Sequence, residues 1–322
     1  MSYHFSALFL ALIIDAIIGD PDWLWRKNSH PVVWMGNIIS KLDERFNLST
    51  DDCDQRRQKG LYALVFLIVL GAAFGLLLQF LIEGLALSWV IEAVVMAIFL
   101  SSRSLYDHVA RVADKLENSD LAEARVAVGR IVGRNPEMLD RAGVVRAAIE
   151  SLAENFSDGV VAPALWYLVA GLPGLIAYKM INTADSMIGH KTDRHLDFGR
   201  ATARFDDFVN LLPSRITALL CIMAFAFHHG FKAARKAWRT IRNDAARHRS
   251  PNAGWPEAAM AGGLDIALSG PRSYEGKSDD EPWINENGRK QIDHNEIKAA
   301  LRLYATGVLI LAVVVGFYGI KF

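Results

Sequence analysis

Long apolar stretches separated by charged segments set the pattern of this chain. Leu61–Ile82 is nearly free of charge, Leu85–Leu100 follows after only Glu83 and Gly84, and Leu303–Tyr318 forms a last clean apolar run. A helix needs roughly 20 apolar residues to cross the ~30 Å hydrocarbon core of a bilayer. These three segments are therefore predicted to span, the first two as a tight helical hairpin. Three weaker segments accompany them. Phe5–Gly19 is short and carries Asp15, Val160–Ile181 is interrupted by Pro163, Pro173 and two glycines, and Leu211–Phe227 contains Arg215. The intervening loops read as helical. Asp120, with Glu123 three residues later, caps a helix expected to run through Gly133 before Asn135-Pro136 breaks it. From Leu139 to Phe156, Val145, Ile149, Leu152 and Phe156 recur at helical spacing. Ser269–Asn287 is rich in Gly, Pro, Ser, Asp and Asn and reads as a surface loop, and no segment reads convincingly as a strand. Gly71 and Gly75, four apart in an apolar run, read as helix-packing positions.

Composition turns this pattern into a fold class. Hydrophobic residues make up 52% of the 322 positions, yet 22% are charged, and mean hydropathy is +0.18. The expectation is an all-α, polytopic helical membrane protein: a single integral-membrane domain over 1–322, with large helical cytoplasmic loops at 101–159 and 229–301. The 35 basic and 35 acidic residues balance, which argues against a nucleic-acid partner. Cys53 lies in a charged loop and Cys221 in an apolar run, so neither a disulfide framework nor a cysteine metal site is expected. The N-terminus lacks a basic leader and cleavage site and reads as a retained membrane segment.

Basic residues bias loops toward the cytoplasm. The segment 20–60 holds Arg26, Lys27, Lys41, Arg45, Arg56, Arg57 and Lys59, whereas the Glu83–Gly84 turn holds none; 101–159 and 229–302 are again basic. The side occupied by 182–210 stays open: outside if Val160–Ile181 and Leu211–Phe227 both span, inside if both are re-entrant.

Four constellations carry candidate chemistry. Glu150, Glu154 and Asp158 recur at four-residue intervals and would share one helix face. Like charges at that spacing repel, and Mg²⁺ bridging to phosphates would relieve them. The plainer reading is a solvated face with an Arg146–Glu150 ion pair. Lys179, Asn182 and Asp185 stand three apart at the end of an apolar helix, where ionisable groups are costly without a partner or a role; a Lys179–Asp185 interfacial pair is the plain alternative. Asp206, Asp207 and Asn210 can hold a divalent ion, with Arg204 and Arg215 suited to phosphate or carboxylate oxygens, although Asp-Asp pairs are common in solvated loops. Finally, Ser250-Pro-Asn252-Ala-Gly-Trp255-Pro-Glu257 fixes an irregular backbone at the mouth of a small-residue helix, and amides at such a terminus can hold an anion. No G-x-x-x-x-G-K-[ST], post-strand G-x-G-x-x-G, H-E-x-x-H or Cys-x-x-Cys occurs, so no P-loop ATPase is supported.

Taken in order, Gly19-Asp20-Pro21, His30-Pro31-Val32, Trp34-Met35-Gly36, Arg103-Ser104-Leu105, Val132-Gly133-Arg134, Glu150-Ser-Leu-Ala-Glu154-Asn155, Ser157-Asp158-Gly159, Tyr178-Lys179, Asn182-Thr183, Asp185-Ser-Met-Ile-Gly189, Asp206-Asp207, Asn210 and the long Ser250–Gly262 stretch resemble the CbiB family, called CobD in the aerobic pathway, of adenosylcobinamide-phosphate synthases. Ala184, Phe156 and a longer Trp23–Asn28 loop depart from its pattern and bear on substrate preference more than on the reaction.

The resemblance implies a bacterial inner-membrane ligase of cobalamin biosynthesis. It would join (R)-1-aminopropan-2-ol phosphate, or a related amine, to the propionate of adenosylcobyric acid with ATP and Mg²⁺. Its partners would be the corrinoid and amino-alcohol phosphate substrates, the lipid bilayer and other cobalamin-assembly enzymes. Under this reading Glu154, Asp185, Lys179 and His248 are catalytic. Arg146, Asn155, Asn182, Arg204, Arg215, Asn252, Trp255 and Glu257 bind substrate or phosphate, and Glu150, Glu154, Asp158, Asp206, Asp207 and Asn210 hold metal. Cytoplasmic ATP then favours Val160–Ile181 and Leu211–Phe227 as dipping or packed helices. A related branch of membrane signalling modulators is the alternative, although it tends to lack the Ser-Pro-Asn-Ala-Gly-Trp-Pro stretch. A solute transporter with broken helices fits less well, because the unusual motifs sit in loops and helix ends.

Overall fold

The computed structural model describes residues 2–21, 25, 29–133, 136–274, 277–279 and 281–321. Trp23 and Arg26–Asn28 of the longer loop, the break residue Asn135 and the motif residue Arg134 lie outside them. In chain order the helices are α1 Ser2–Ile18, α2 Pro31–Phe46, α3 Cys53–Ile82, α4 Ser88–Phe99, α5 Ser102–Glu117, α6 Leu121–Gly129, α7 Arg141–Phe156, α8 Ala162–Ile188, α9 Arg200–Val209, α10 Leu211–Asp244, α11 Gly254–Leu264 and α12 His294–Lys321; a π-helical turn, Ser157–Val161, joins α7 to α8. Helix accounts for 77% of the structure, as the all-α expectation requires. Among the described residues five helical segments are long and apolar enough to cross a membrane: Cys53–Ile82, Ser88–Glu117, Arg141–Ile188, Leu211–Arg247 and His294–Lys321. The chain divides into two compact units, Met1–Ser101 with Ala162–Asn210 and Val315–Phe322, and Ser102–Val161 with Leu211–Val314.

In the first unit α3 is the spine. Asp52 caps it with a reciprocal capping box to Gln55. The second half of α8 runs antiparallel along it. Gly71 and Gly75 are packing positions, as expected: a Cβ at Gly71 would lie 3.0 Å from Ala177 Cα, and one at Gly75 2.5 Å from Pro173 Cα. The connection at 83–87 is tight, with Gly84 and Leu87 at positive φ, but α4 packs mainly on α1 rather than back on α3. Glu92 of α4, unflagged by the sequence, is buried and accepts a 2.6 Å hydrogen bond from the Tyr167 hydroxyl, which gives a carboxylate in an apolar segment the partner it requires.

The segment Val160–Ile181 does not form one straight helix. Ala170 and Gly171 leave helical geometry, Gly171 at φ +61. Pro173, which has no N–H to donate, falls in the first turn of the restarted helix, where its ring is tolerated. Around this break the chain doubles back: Ala162 shares a buried cluster with Tyr178, Ile181, Leu64 and Val209, and the Trp166 carbonyl lies against Gly174. Both ends of α8 therefore open toward the same side, the geometry of a dipping segment.

The loop 189–199 follows. Arg194 donates to Asp43 Oδ2 from Nε at 2.9 Å and from its terminal nitrogen at 2.7 Å. Asn47 donates to the Arg194 carbonyl at 3.0 Å, and Arg57 donates to Asp197 at 2.8 Å. Asp43, Asn47 and Arg57 belong to the basic 20–60 segment, so the loop lies on that segment's side. With 20–60 expected on the cytoplasmic side, the same side is expected for this loop, while Leu211–Phe227 runs unbroken to Gly230 and remains long and apolar enough to span.

In the second unit Asp120 caps α6 through the Glu123 amide, but the helix stops at Gly129, not Gly133. The Ile131 carbonyl instead accepts the Ser151 hydroxyl at 2.6 Å. Asp140 caps α7. α10 breaks at Gly230, φ +76, and α11 lies close against it, with a Cβ at Gly262 only 2.7 Å from Thr240 Cβ. Tyr304 of α12 packs edge-on against Phe156 and donates to the Ser102 carbonyl at 2.9 Å. The expected surface loop after Leu268 is corrected: β1 Leu268–Ser269 pairs with β4 Trp283–Ile284, and β2 Arg272–Tyr274 with β3 Lys277–Asp279. Leu268, Ser269 and Ile284 are buried. Gly270, φ +86, turns the chain there, and segments of two or three residues are too short for alternation to reveal them.

Two outcomes are expected. A Lys191→Cys reporter in the 189–199 loop reacts with membrane-impermeant maleimide only from the cytoplasmic face. Gly75→Leu, which drives a side chain into Pro173, destabilises by about 1–3 kcal/mol, read as a lowered melting temperature in detergent.

Candidate functional site

Some of the sequence-flagged residues meet in a polar cluster within each unit, whereas others, Arg204 and Glu154 among them, are exposed.

In the first unit the end of α8 brings Asn182 and Asp185 to α9. Asp206 is 7% exposed. Asn210 donates to its Oδ2 at 3.0 Å, and Asn182 lies 3.5 Å from its Oδ1. The Tyr178 hydroxyl holds Asn210 by donating to its Oδ1 at 3.0 Å. The sequence made Asn210 a metal ligand. The structure makes it a bracket for Asp206, because its carbonyl already accepts from Tyr178 and its amide is turned onto the carboxylate. Burial first, and the neighbouring charge of Asp185 second, push the Asp206 carboxyl up to about 7. Burial also raises Asp207, against the pull of Lys191. Gly189 ends the helix where any side chain would strike the Asp185 carboxylate. Arg204 is exposed on α9.

Lys179, one turn back on α8, lines a pocket of about 220 Å³ with Asp20, His30, Ser101 and the Ile98–Leu100 segment. His30 caps α2: its Nδ1 accepts the Val32 amide at 3.2 Å, so Nε2 carries the proton and donates to the Ile98 carbonyl at 3.1 Å. Asp20 stands 3.7 Å from Nε2. Burial lowers the His30 pKa despite Asp20, so the ring is a neutral wall and the ionic groups facing the pocket are Asp20 and Lys179. Asp20 and His30 entered the sequence reading only through the family resemblance. Polar residues beside Pro21 and Pro31, at the mouth of an apolar segment, were the signal that they line a site.

In the second unit Ser269 is a hub. Its amide donates to Glu150 Oε1 at 2.8 Å and its hydroxyl lies 3.3 Å from Glu257 Oε2. Glu257 Oε1 is 3.7 Å from His248 Nε2, with both side chains buried. Burial pushes the His248 pKa down, outweighing the Ser250 carbonyl and Glu281. The Ser250 hydroxyl accepts the Asn252 and Ala253 amides, each at 3.2 Å, which fixes the irregular entry to α11. Asn252 Oδ1 accepts from Arg215 at 3.0 Å, and the Arg215 guanidinium lies 4.4 Å over the Trp255 ring. A Cβ at Gly254 would come within 2.6 Å of His248 Cβ, so the turn requires glycine.

The shared face of Glu150, Glu154 and Asp158 is corrected. Glu150 and Glu154 stay one turn apart on α7, Glu150 buried against β1 and Glu154 exposed, and it is half-buried Asp158 that departs, because the π turn changes the helical register there. Arg146 reaches the Lys290 carbonyl at 3.2 Å and Asp140 at 3.7 Å. Asn155 donates to the Ser151 carbonyl at 2.9 Å, leaving its own carbonyl for a ligand. Among the described residues no three His, Cys, Asp or Glu side chains converge into a protein-only metal cage. Asp206 with Asp185 would suit Mg²⁺ only where substrate phosphate supplied the remaining ligands, since one or two carboxylates commonly hold that ion. A cation there would also relieve the repulsion that raises Asp206.

A helical bundle with long apolar segments and buried acidic clusters defines the class as a polytopic membrane protein with a polar site. Residues 8–304 match the family described as CobD/Cbib protein, and the chain belongs to that family. It is 50% identical over 309 residues to a cobalamin biosynthesis protein CobD of Sinorhizobium fredii, covering 96% of this chain and 94% of the relative. It is 46% identical over 325 residues to that of Brucella suis, covering 99% of each, and 48% identical over 286 residues to that of Rhodobacter capsulatus, covering 88% and 87%. No solved structure matches.

Because Asp206 binds its proton more tightly folded than unfolded, it lends stability at low pH that is lost as pH rises from about 4 toward 7. The melting temperature should fall over that window, and Asp206→Asn should flatten the fall, as thermal scans in buffered detergent would show.

Proposed function

We propose that this chain is an ATP-dependent ligase of cobalamin biosynthesis in the bacterial inner membrane, joining an amino-alcohol phosphate to the propionate carboxylate of a corrinoid acid. Membership in a family whose relatives are named cobalamin biosynthesis proteins supports the pathway. The observation that carries the chemistry is the pairing of buried Asp206 with half-buried Asp185 beside Asn182, at the α8 end that also carries the Asp20–Lys179 pocket.

A carboxylate is a poor electrophile. Transfer of the ATP γ-phosphoryl group to a carboxylate oxygen gives an acyl phosphate and ADP. Attack of the neutral amine on the carbonyl then forms the C–N bond, the acyl C–O bond breaks, inorganic phosphate leaves, and the amine loses one proton. Mg²⁺, when bound, would neutralise phosphate oxygens. Asp206 and Asp185 are the residues to hold it, with Asn182 and Asn210 orienting Asp206. Lys179 would bind phosphate and Asp20 the incoming amine; a pocket of about 220 Å³ suits a small amino-alcohol phosphate better than a corrinoid.

In the second unit Arg215, splayed between Asn252 and Trp255, suits a carboxylate or phosphate on a large substrate. His248, held neutral by burial beside Glu257, is the residue there suited to accept a proton.

The test is purified protein in nanodiscs with ATP, Mg²⁺, adenosylcobyric acid and aminopropanol phosphate. ADP should form in step with the amide product. Asp206→Asn and Glu257→Gln should each lower kcat by about 10²-fold or more with the fold intact. Amide formed without ATP, or ATP left unconsumed with every substrate present, would refute the reading and favour a non-catalytic membrane modulator.

A further inference from the structure

We infer that residues 231–244 form an interfacial helix that binds anionic phospholipid headgroups, independently of the ligase reaction. The apolar part of α10 ends at His228-His229, and Gly230, φ +76, breaks the helix. Beyond the break the sequence Phe-Lys-Ala-Ala-Arg-Lys-Ala-Trp-Arg-Thr-Ile-Arg-Asn has five cations and no acidic residue before Asp244, which ends the helix. Ala234, Ala237, Thr240 and Ile241 are buried, and Phe231, Lys232, Arg235, Lys236, Trp238, Arg239 and Arg242 all face outward.

Three aromatics frame the strip: Phe227 is 79% exposed, Phe231 84% and Trp238 48%. A water-facing surface rarely shows large aromatics at this density, whereas a helix lying in the headgroup layer pairs such aromatics with Lys and Arg on its polar face. Asp265 neutralises Lys236, so Lys232, Arg235, Arg239 and Arg242 carry the field. Lys236, Arg239, Arg242 and Arg247 also line a cleft of about 570 Å³, in which they outnumber its carboxylates Asp244 and Glu286 and which is roomy enough for a headgroup phosphate. Continuity with an apolar segment selects lipid over a soluble anion. The basic 229–302 segment is expected on the cytoplasmic side, whose leaflet attracts such polybasic strips.

The full-length protein in nanodiscs of mixed phosphatidylglycerol and phosphatidylcholine tests this. By native mass spectrometry it should retain phosphatidylglycerol at least about fivefold over phosphatidylcholine. A Lys232→Ala/Arg235→Ala/Arg239→Ala variant should bring that ratio near one. The Trp238 emission, obtained as the difference from Trp238→Phe, should be quenched by lipid brominated near the headgroup. Equal retention of both lipids by the unaltered chain, absence of Trp238 quenching, or displacement of phosphatidylglycerol by inorganic phosphate would each overturn the inference. The Trp238 arm leaves every charge in place, so it decides the matter even if the triple variant fails to fold.

Discussion

The first unit depends on the backbone break at Ala170–Gly171. A continuous helix from Ala162 to Ile188 would carry its two ends to opposite levels of the bundle. Two consecutive non-helical residues, one a glycine at positive φ where a side chain is strained, let the chain reverse. Pro173 then restarts the helix against the glycine stripe of α3. The reversal returns Lys179, Asn182 and Asp185 to the end where α9, the 189–199 loop and the Asp20–His30 mouth also lie. Polar groups that would be costly in lipid are thereby kept at one end and paired there.

The two polar clusters solve the burial of charge differently. Asp206 is kept close to neutrality by burial and by Asp185, and two amides orient it, so it is poised to ionise when a cation arrives. Glu150 and Glu257 instead converge on the amide and hydroxyl of Ser269. Buried charge is tolerable when hydrogen bonds and partners are supplied, and here Ser269, at positive φ in a two-residue strand, supplies them. Asn252, Arg215 and Trp255 are then locked by one another, which gives a binding surface defined rotamers before a ligand arrives.

Much of this was legible in the sequence. The uncharged run of α3, its Gly71/Gly75 stripe, the cap at Asp120 and the rigid Ser250–Glu257 entry each rest on a local rule, and each appears where that rule puts it. The prolines and glycines of 160–181 signalled a break but not its direction, because doubling back depends on Tyr178 and Ile181 accepting Ala162 in one core. Long-range polar pairs were not legible. Asp43 with Arg194 spans about 150 residues, and neither partner has a distinctive neighbourhood. The three carboxylates at four-residue spacing misled, since the pattern assumes an α-helix throughout and the π turn at Ser157 ends that register. Ser269 looked like loop material because two-residue strands carry no periodicity.

The reversal at Ala170–Gly171 is tested most directly by an electron paramagnetic resonance distance between spin labels at Leu165→Cys and Thr183→Cys, in a background with Cys53 and Cys221 replaced by serine. A folded-back segment places the labels well under about 20 Å apart, whereas a continuous helix would separate them by about 27 Å at 1.5 Å per residue. The short distance is the predicted result; the long one would contradict the account and move Asp185 away from the end that holds Asp20 and His30.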